Sequence, residues 1–367
     1  PPWSTRNRLS CGPSPRSFAL TNPSVDTCIE LMEFIQTMAM PWCLEGTRSL
    51  FVRRVHAVAV VFLGLIAASF LLNSHVYLVP STGAPTEGSI CLENAVVSMA
   101  YGYSLDRFEQ FLYTLRLNFC GRIILFTEPN AEKRILKLME NLDVTNHPVK
   151  RKEGMRPEVH RLLLNKEACA PPLRWCLFTD FRDVFFQAGA ESWDAHLPHQ
   201  VDLIFAEEDQ SATMGRSMHN SEWIRQCHGN EGVQELSNYS IVCSGTFIGT
   251  PRGTRILMDK MVSEVTGCNG SGIVGMDQGH MNWIVRKEIV ALGVNYTAEQ
   301  RRKGVINTVG LVKAKSLLSE IDQGGDFLTQ TDGITPSPVV HQYDRFPELK
   351  EIAVRHMQQA KKALSHN

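Results

Sequence analysis

Several common fingerprints are missing from these 367 residues, and each absence removes a class of function. No G-x-x-x-x-G-K-[ST] stretch occurs, so an ATP-binding P-loop has no support. No G-x-S-x-G elbow occurs, so nothing favours a serine hydrolase. No two cysteines stand in C-x-x-C spacing, which disfavours zinc. The net charge is only −1 and there is no dense Lys/Arg block, so nucleic acid is not an expected partner. Internal repeats and low-complexity tracts are absent as well. What remains is a chain with a hydrophobic fraction of 43%, enough for one large domain or two ordinary ones.

Long apolar runs are scarce, with one exception. Residues 55–72, VHAVAVVFLGLIAASFLL, contain no acid, Lys or Arg, and the run extends to Val79. A bilayer core of about 30 Å needs about 20 helical residues, so 55–79 is expected to span a membrane. Arg48, Arg53 and Arg54 precede it and no Lys or Arg follows until Arg107. Positive charge stays cytosolic, so residues 1–54 form the expected cytosolic tail and the C-terminal part faces a lumen. The residues before Met40 are expected to include a non-native reading frame. A cleaved signal peptide is the alternative, but this run exceeds the usual signal core and lacks a clear small-x-small cleavage site.

Residues 80–90, PSTGAPTEGSI, read as a short stem, and 91–367 as the luminal domain. Three N-x-S/T sequons begin at Asn238, Asn269 and Asn295, as suits a secretory-pathway lumen. Seven cysteines follow the span. In an oxidising compartment they allow up to three disulfides with one thiol over.

Strand-like and helix-like runs alternate through the luminal part. AVVSMAY, GRIILFTE, LRWCLFTDF, VDLIFAEED and SGTFIGT read as strands. SLDRFEQFLYTLRLN, AEKRILKLMENL, PEVHRLLLNKEA, TRILMDKMVSEV and DQGHMNWIVRKEI read as helices. The expected fold is α/β, a mainly parallel sheet flanked by helices.

The stretch LFTDFRDVFFQ (177–187) sets Asp180 and Asp183 three apart between apolar residues. Burying an uncompensated carboxylate costs several kcal/mol. The pair is therefore either a solvated turn neutralised by Arg182 or a metal site at the carboxyl edge of a sheet.

Four stretches in order, LFTDFRDVFFQ, IVCSGTFIGTPRG, GMDQGHMNWIV and VVHQYDRFPELK, cover residues 177–350. Together they resemble a group of nucleotide-sugar glycosyltransferases with the Rossmann-like GT-A fold. The resemblance implies a type II Golgi (or ER) membrane enzyme that uses Mn²⁺ or Mg²⁺ and a UDP- or GDP-linked sugar donor, with a glycan or glycoprotein acceptor. It further implies that Asp180 touches ribose or metal, that Asp183 binds metal and that His341 completes the coordination. The D-F-R-D spacing departs by one residue from the D-x-D of such enzymes. Retaining members are the nearer analogy.

Asp277 and Gln278, opening a helix, are the candidates for acceptor-side catalysis; an N-capping role for Asp277 is the alternative. Gln278 and Asn282, four apart, are expected to form a polar face. Ser244, Gly245 and Thr246 are small residues suited to close backbone approach to donor or acceptor. Arg161 could pair with phosphate or be a plain surface arginine, and Arg182 is a further donor contact. Glu207 and Glu208 are expected to be solvated. Two rival functions stand beside the transferase: a catalytically silent glycan- or partner-binding relative, and a glycoside hydrolase with its carboxylates about 5–10 Å apart.

Overall fold

The computed structural model describes residues 93–189, 200–268 and 276–365. The expected tail, the membrane span at 55–79 and the stem at 80–90 lie outside the described residues. Among those described, no helix is long and apolar enough to cross a membrane.

The chain alternates as its periodicity predicts. Strand β1 (Asn94–Ala100) leads to α1 (Leu105–Asn118), then β2 (Arg122–Thr127), α2 (Lys133–Asn141), β3 (Val144–Pro148), α3 (Pro157–Ala168) and β4 (Trp175–Thr179). Short β5 (Val184–Phe186) and then β6 (Leu203–Glu207) precede α4 (Met218–Leu236), β7 (Val242–Gly249), α5 (Pro251–Gly267) and α6 (Met276–Trp283). A π-helical turn, Ile284–Glu288, continues α6. β8 (Tyr296–Glu299), β9 (Ile306–Thr308), α7 (Ala314–Gly324), β10 (Val339–His341) and α8 (Pro347–Leu364) complete the fold.

Seven strands form one sheet in the order β3-β2-β1-β4-β7-β6-β8. All neighbours pair in parallel except β7, which runs antiparallel to both β4 and β6. The expectation of a mainly parallel sheet flanked by helices holds, with that one reversal.

Both faces of the sheet are covered, so its strands are apolar on both sides. Val96, Ile123, Leu125, Leu177, Ile204 and Ile248 pack with Phe108, Phe111 and Leu115 of α1. Their alternating neighbours, including Val97, Phe126, Phe178 and Phe205, pack against α3 and α5 through Val159, Leu162, Leu257 and Met261.

A second, three-stranded sheet, β5-β10-β9, was not anticipated. β10 pairs antiparallel with β5, His341 opposite Val184, and parallel with β9, His341 opposite Thr308. Phe185 and Val340 face Leu349, Ile352 and Ala353 of α8.

The order of the large sheet creates a switch point. From β1 the chain moves outward through β2 and β3, then returns with β4 on the opposite side of β1. Open α/β sheets offer a crevice at the carboxyl ends of such strands. Asp180 stands at the carboxyl end of β4.

Candidate metal centre

The acidic turn is shaped by the residue between its acids. Phe181 is buried, its ring 4.6 Å from those of both Phe108 and Phe111 and 5.4 Å from Tyr103. Each such aromatic pair contributes about 0.5–1.5 kcal/mol beyond area burial. With Phe181 pinned inward, Arg182 projects outward and the two acids point at the same space.

That space is closed by the C-terminal segment residue by residue. His341 Nε2 lies 3.6 Å from Asp180 Oδ2 and 3.8 Å from Asp183 Oδ1. The Gln342 backbone N–H donates to the Asp183 carbonyl at 2.7 Å, from a left-handed conformation with φ 64°. The Tyr343 hydroxyl donates to Gln110 Oε1 at 2.8 Å, and lies 3.3 Å from the Arg182 carbonyl. Asp344 pairs with Arg182 at 3.0 Å. Thus His-Gln-Tyr-Asp grips Asp-Phe-Arg-Asp over 161 residues of sequence.

A solvated turn does not describe these acids. Asp183 is 4% exposed and His341 is fully buried, while the Asp180 side chain is 35% exposed. Arg182 also reaches Asp183 Oδ2 at 3.3 Å, so the neutralising pair exists, but beside a buried acid. Burial pushes the Asp183 carboxyl up, helped by the nearby Asp180 charge. Burial alone would also raise Asp180, but His341 and Arg161 outweigh it and hold it below the usual range. For His341, burial pulls downward, while the Cys243 sulfur and the two carboxylates outweigh it and hold the imidazole well above its ordinary value.

The donor set suits a hard divalent cation. Two carboxylates and one imidazole match Mn²⁺ better than Mg²⁺, which favours oxygen alone. Bonds of about 2.1 Å put adjacent donors about 3 Å apart, and the two distances from Nε2, 3.6 and 3.8 Å, exceed that by less than 1 Å. His341 Nε2 is buried without a hydrogen-bond partner, the state expected of an atom built to meet an ion. Gly245 makes room: a Cβ there would sit 2.3 Å from Asp180 Oδ2 and 2.8 Å from His341 Cε1.

The remaining sequence candidates gather around this centre. Gly245 accepts the Asp180 backbone N–H at 2.7 Å. Ser244 beside it is half-buried, whereas Thr246 lies wholly inside the sheet, opposite Thr179. Arg161 is not a plain surface arginine. It donates from Nη1 to Asp180 Oδ1 at 2.6 Å and from Nη2 to Asp277 Oδ2, so both ends of its fork are engaged.

Asp277 is buried and its carboxyl is pushed up by burial, against the pull of Arg161. The Gln278 amide donates to Glu208 Oε1 at 3.2 Å and Asn220 Oδ1 at 3.1 Å. The expected polar face with Asn282 does not form. Asn282 turns inward instead and bonds both the N–H and the C=O of Val242, at 2.7 and 2.8 Å.

Glu207 and Glu208 are buried rather than solvated. Glu207 accepts from Arg286 at 2.7 Å, and burial pushes Glu208 up. Sequence reasoning missed Cys243, a buried free thiol whose Sγ lies 3.6 Å from His341 Nδ1. Its position directly before Ser244-Gly245-Thr246 was the available signal. Cys169–Cys176 and Cys227–Cys268 are disulfides, and Cys120 is also disulfide-bonded.

Residues 270–275, GSGIVG, do fit the G-x-G-x-x-G spacing of dinucleotide sites. That fingerprint requires a strand before it, whereas this run follows helix α5. It lies outside the described residues. No protein-family model matches the sequence, and a comparison with curated proteins finds no match either.

Proposed function

We propose that this chain is a metal-dependent glycosyltransferase of the GT-A type, moving a sugar from a UDP- or GDP-linked donor to a glycan or glycoprotein. The observation that carries the reading is the convergence of Asp180 and Asp183, from the turn between β4 and β5, with His341 of β10 at the sheet's switch point. A divalent cation held by these three would offset the charge growing on the diphosphate as the glycosidic bond breaks.

The chain's own residues have distinct tasks in this reading. Asp183 and His341, both buried, form the fixed part of the site, and Asp180, the more exposed acid, meets the incoming donor. Arg161 positions Asp180 and Asp277 rather than phosphate, because its two ends are already paired. Arg182 is half exposed and offers its remaining donors to the nucleotide. Ser244 and Gly245 allow close backbone approach. Gln278, with Glu208 and Asn220 behind it, orients the acceptor. Asp277 acts as a base only when Arg161 releases it. The setting is the Golgi or ER lumen, with residues 55–79 as the anchor.

The hydrolase alternative needs its two carboxylates on opposite walls of a cleft. Asp180 and Asp183 instead share one imidazole nitrogen. Calorimetric titration of UDP and GDP into the chain, with Mn²⁺ and with chelator, tests the proposal. Metal-dependent binding of one nucleotide, lost in Asp183→Ala, is the expected result. Absence of nucleotide binding by the folded wild-type protein would overturn it in favour of a silent binding relative.

A further inference from the structure

A second group of ligand atoms stands apart from the centre described above and has no task in the proposed reaction. His228 on α4, Glu264 on α5 and His280 on α6 present one nitrogen or oxygen each, all within 4.8 Å of one another. Glu264 Oε2 lies 3.8 Å from His228 Nε2 and 4.0 Å from His280 Nδ1. Its other oxygen is occupied, receiving Lys260 Nζ at 2.7 Å, and the same ammonium reaches Glu288 at 3.0 Å. The carboxylate is thus divided: one oxygen serves the lysine and the other faces two imidazoles.

Both imidazole nitrogens are buried without a hydrogen-bond partner. His280 is 2% exposed, and its second nitrogen, Nε2, faces Cys227 Sγ at 3.8 Å. A proton on Nε2 points at that sulfur and leaves the Nδ1 lone pair facing a carboxylate oxygen. Three electron-rich atoms then converge with nothing between them, an arrangement that costs energy unless a cation fills it. Burial holds His280 down to about 4 and lowers His228 as well.

The surroundings fix the rings in place. His228 stacks on Trp283, centroids 3.8 Å apart and planes at 11°. The Cys227–Cys268 disulfide ties the middle of α4, beside His228, to the C-terminal end of α5, one turn beyond Glu264. Two imidazoles and a carboxylate form a three-ligand zinc set with one position open to water. Zinc bonds of about 2.0–2.1 Å place donors about 3.4 Å apart, so the two Glu264 contacts, at 3.8 and 4.0 Å, each close by about half an ångström.

We propose that His228 Nε2, His280 Nδ1 and Glu264 Oε2 form a second metal site that takes Zn²⁺ and fastens helix α6. His280 lies three residues beyond Asp277 and two beyond Gln278 on that helix, so zinc here would hold both of them in register. The inference does not rest on the transferase reading. Zinc was disfavoured above for want of C-x-x-C spacing, but that pattern bears on thiolate ligands and not on a His-His-Glu set.

The test uses the full chain carrying Asp183→Asn, which disables the first centre, loaded with Zn²⁺ and then dialysed. Elemental analysis should find about one zinc per chain. The added substitutions Glu264→Gln and His280→Gln should reduce this at least tenfold, with near-ultraviolet dichroism reporting that the fold persists. X-ray absorption on the Asp183→Asn protein should show nitrogen and oxygen neighbours and no sulfur. Zinc should also raise its melting temperature, reversibly with chelator, a readout that needs no second variant. Failure to retain zinc, equal zinc in the variant lacking Glu264 and His280, or sulfur at about 2.3 Å would each overturn the proposal. The last outcome would hand the metal to Cys227 and Cys268.

Discussion

Gly245 and Asp180 meet so closely that the glycine has no room for a methyl group: a Cβ would lie 2.3 Å from the Asp180 carboxylate. The Asp180 N–H also donates to the Gly245 carbonyl at 2.7 Å, so neither partner can retreat without breaking a backbone bond. Gly245→Ala should therefore rotate the carboxylate away from His341 and weaken Mn²⁺ binding at least tenfold, read by calorimetry or electron paramagnetic resonance. Unchanged affinity would remove Asp180 from the ligand set.

Asn282 is a clamp on β7. Its amide satisfies both backbone groups of Val242 and also donates to the Gln278 carbonyl at 2.8 Å. Removing it strands two buried polar groups at about 1–3 kcal/mol each, less whatever water recovers. Asn282→Ala should cost about 3 kcal/mol in urea unfolding. A loss below about 1 kcal/mol would mean that β7 does not depend on this side chain.

Glu299 gives stability a pH dependence in the opposite sense to most acids. Burial lifts its carboxyl from the usual 4.5 to about 7, against a backbone hydrogen bond from Val305. Because the folded state holds the proton more tightly, the contribution is full below pH 4.5 and is lost as pH rises to 7. The loss is roughly 3 kcal/mol. Glu299→Gln removes it, so the melting temperature of the variant should gain on the wild type between pH 4.5 and 7 and then run parallel. A constant difference across that range would count against a buried acid here.

The two disulfides with both partners described should differ in weight. Cys227–Cys268 closes a separation of 41 residues and Cys169–Cys176 one of 7. The chain-entropy relation gives about 4 kcal/mol for the first and about 2 kcal/mol for the second. Paired Cys→Ser variants, unfolded in denaturant, should rank in that order; the reverse ranking would show that native-state strain dominates.

Periodicity found the large sheet because strands such as Trp175–Thr179 and helices such as Leu105–Asn118 carry their patterns locally. It could not find the direction of β7, since VCSGTFIG reads alike for a strand running either way. Nor could it find β5 and β10, three residues each, whose pairing depends on partners 157 positions apart, Val184 with His341. The site was half legible. Asp180, Asp183 and His341 stood out by residue type and by resemblance. Arg161 was singled out as a phosphate contact, but its true partners were not legible, because Asp277 lies 116 residues away and spacing along a helix does not say what an arginine meets. Asn282 was misassigned because four-residue spacing says which face a side chain shares, not what that face meets.

The small sheet also decides how the candidate metal centre can open. β10 is hydrogen-bonded on both sides, to β5 and to β9, so His341 cannot withdraw until a strand does. Side-chain rotation takes picoseconds to nanoseconds, whereas local opening takes microseconds to seconds. Asp180, hung at a strand end and partly open to solvent, is free of that restriction. Traffic through the site should then have one swinging door and two fixed jambs, and the dwell time of anything held there would be set by how tightly Arg161 latches the door.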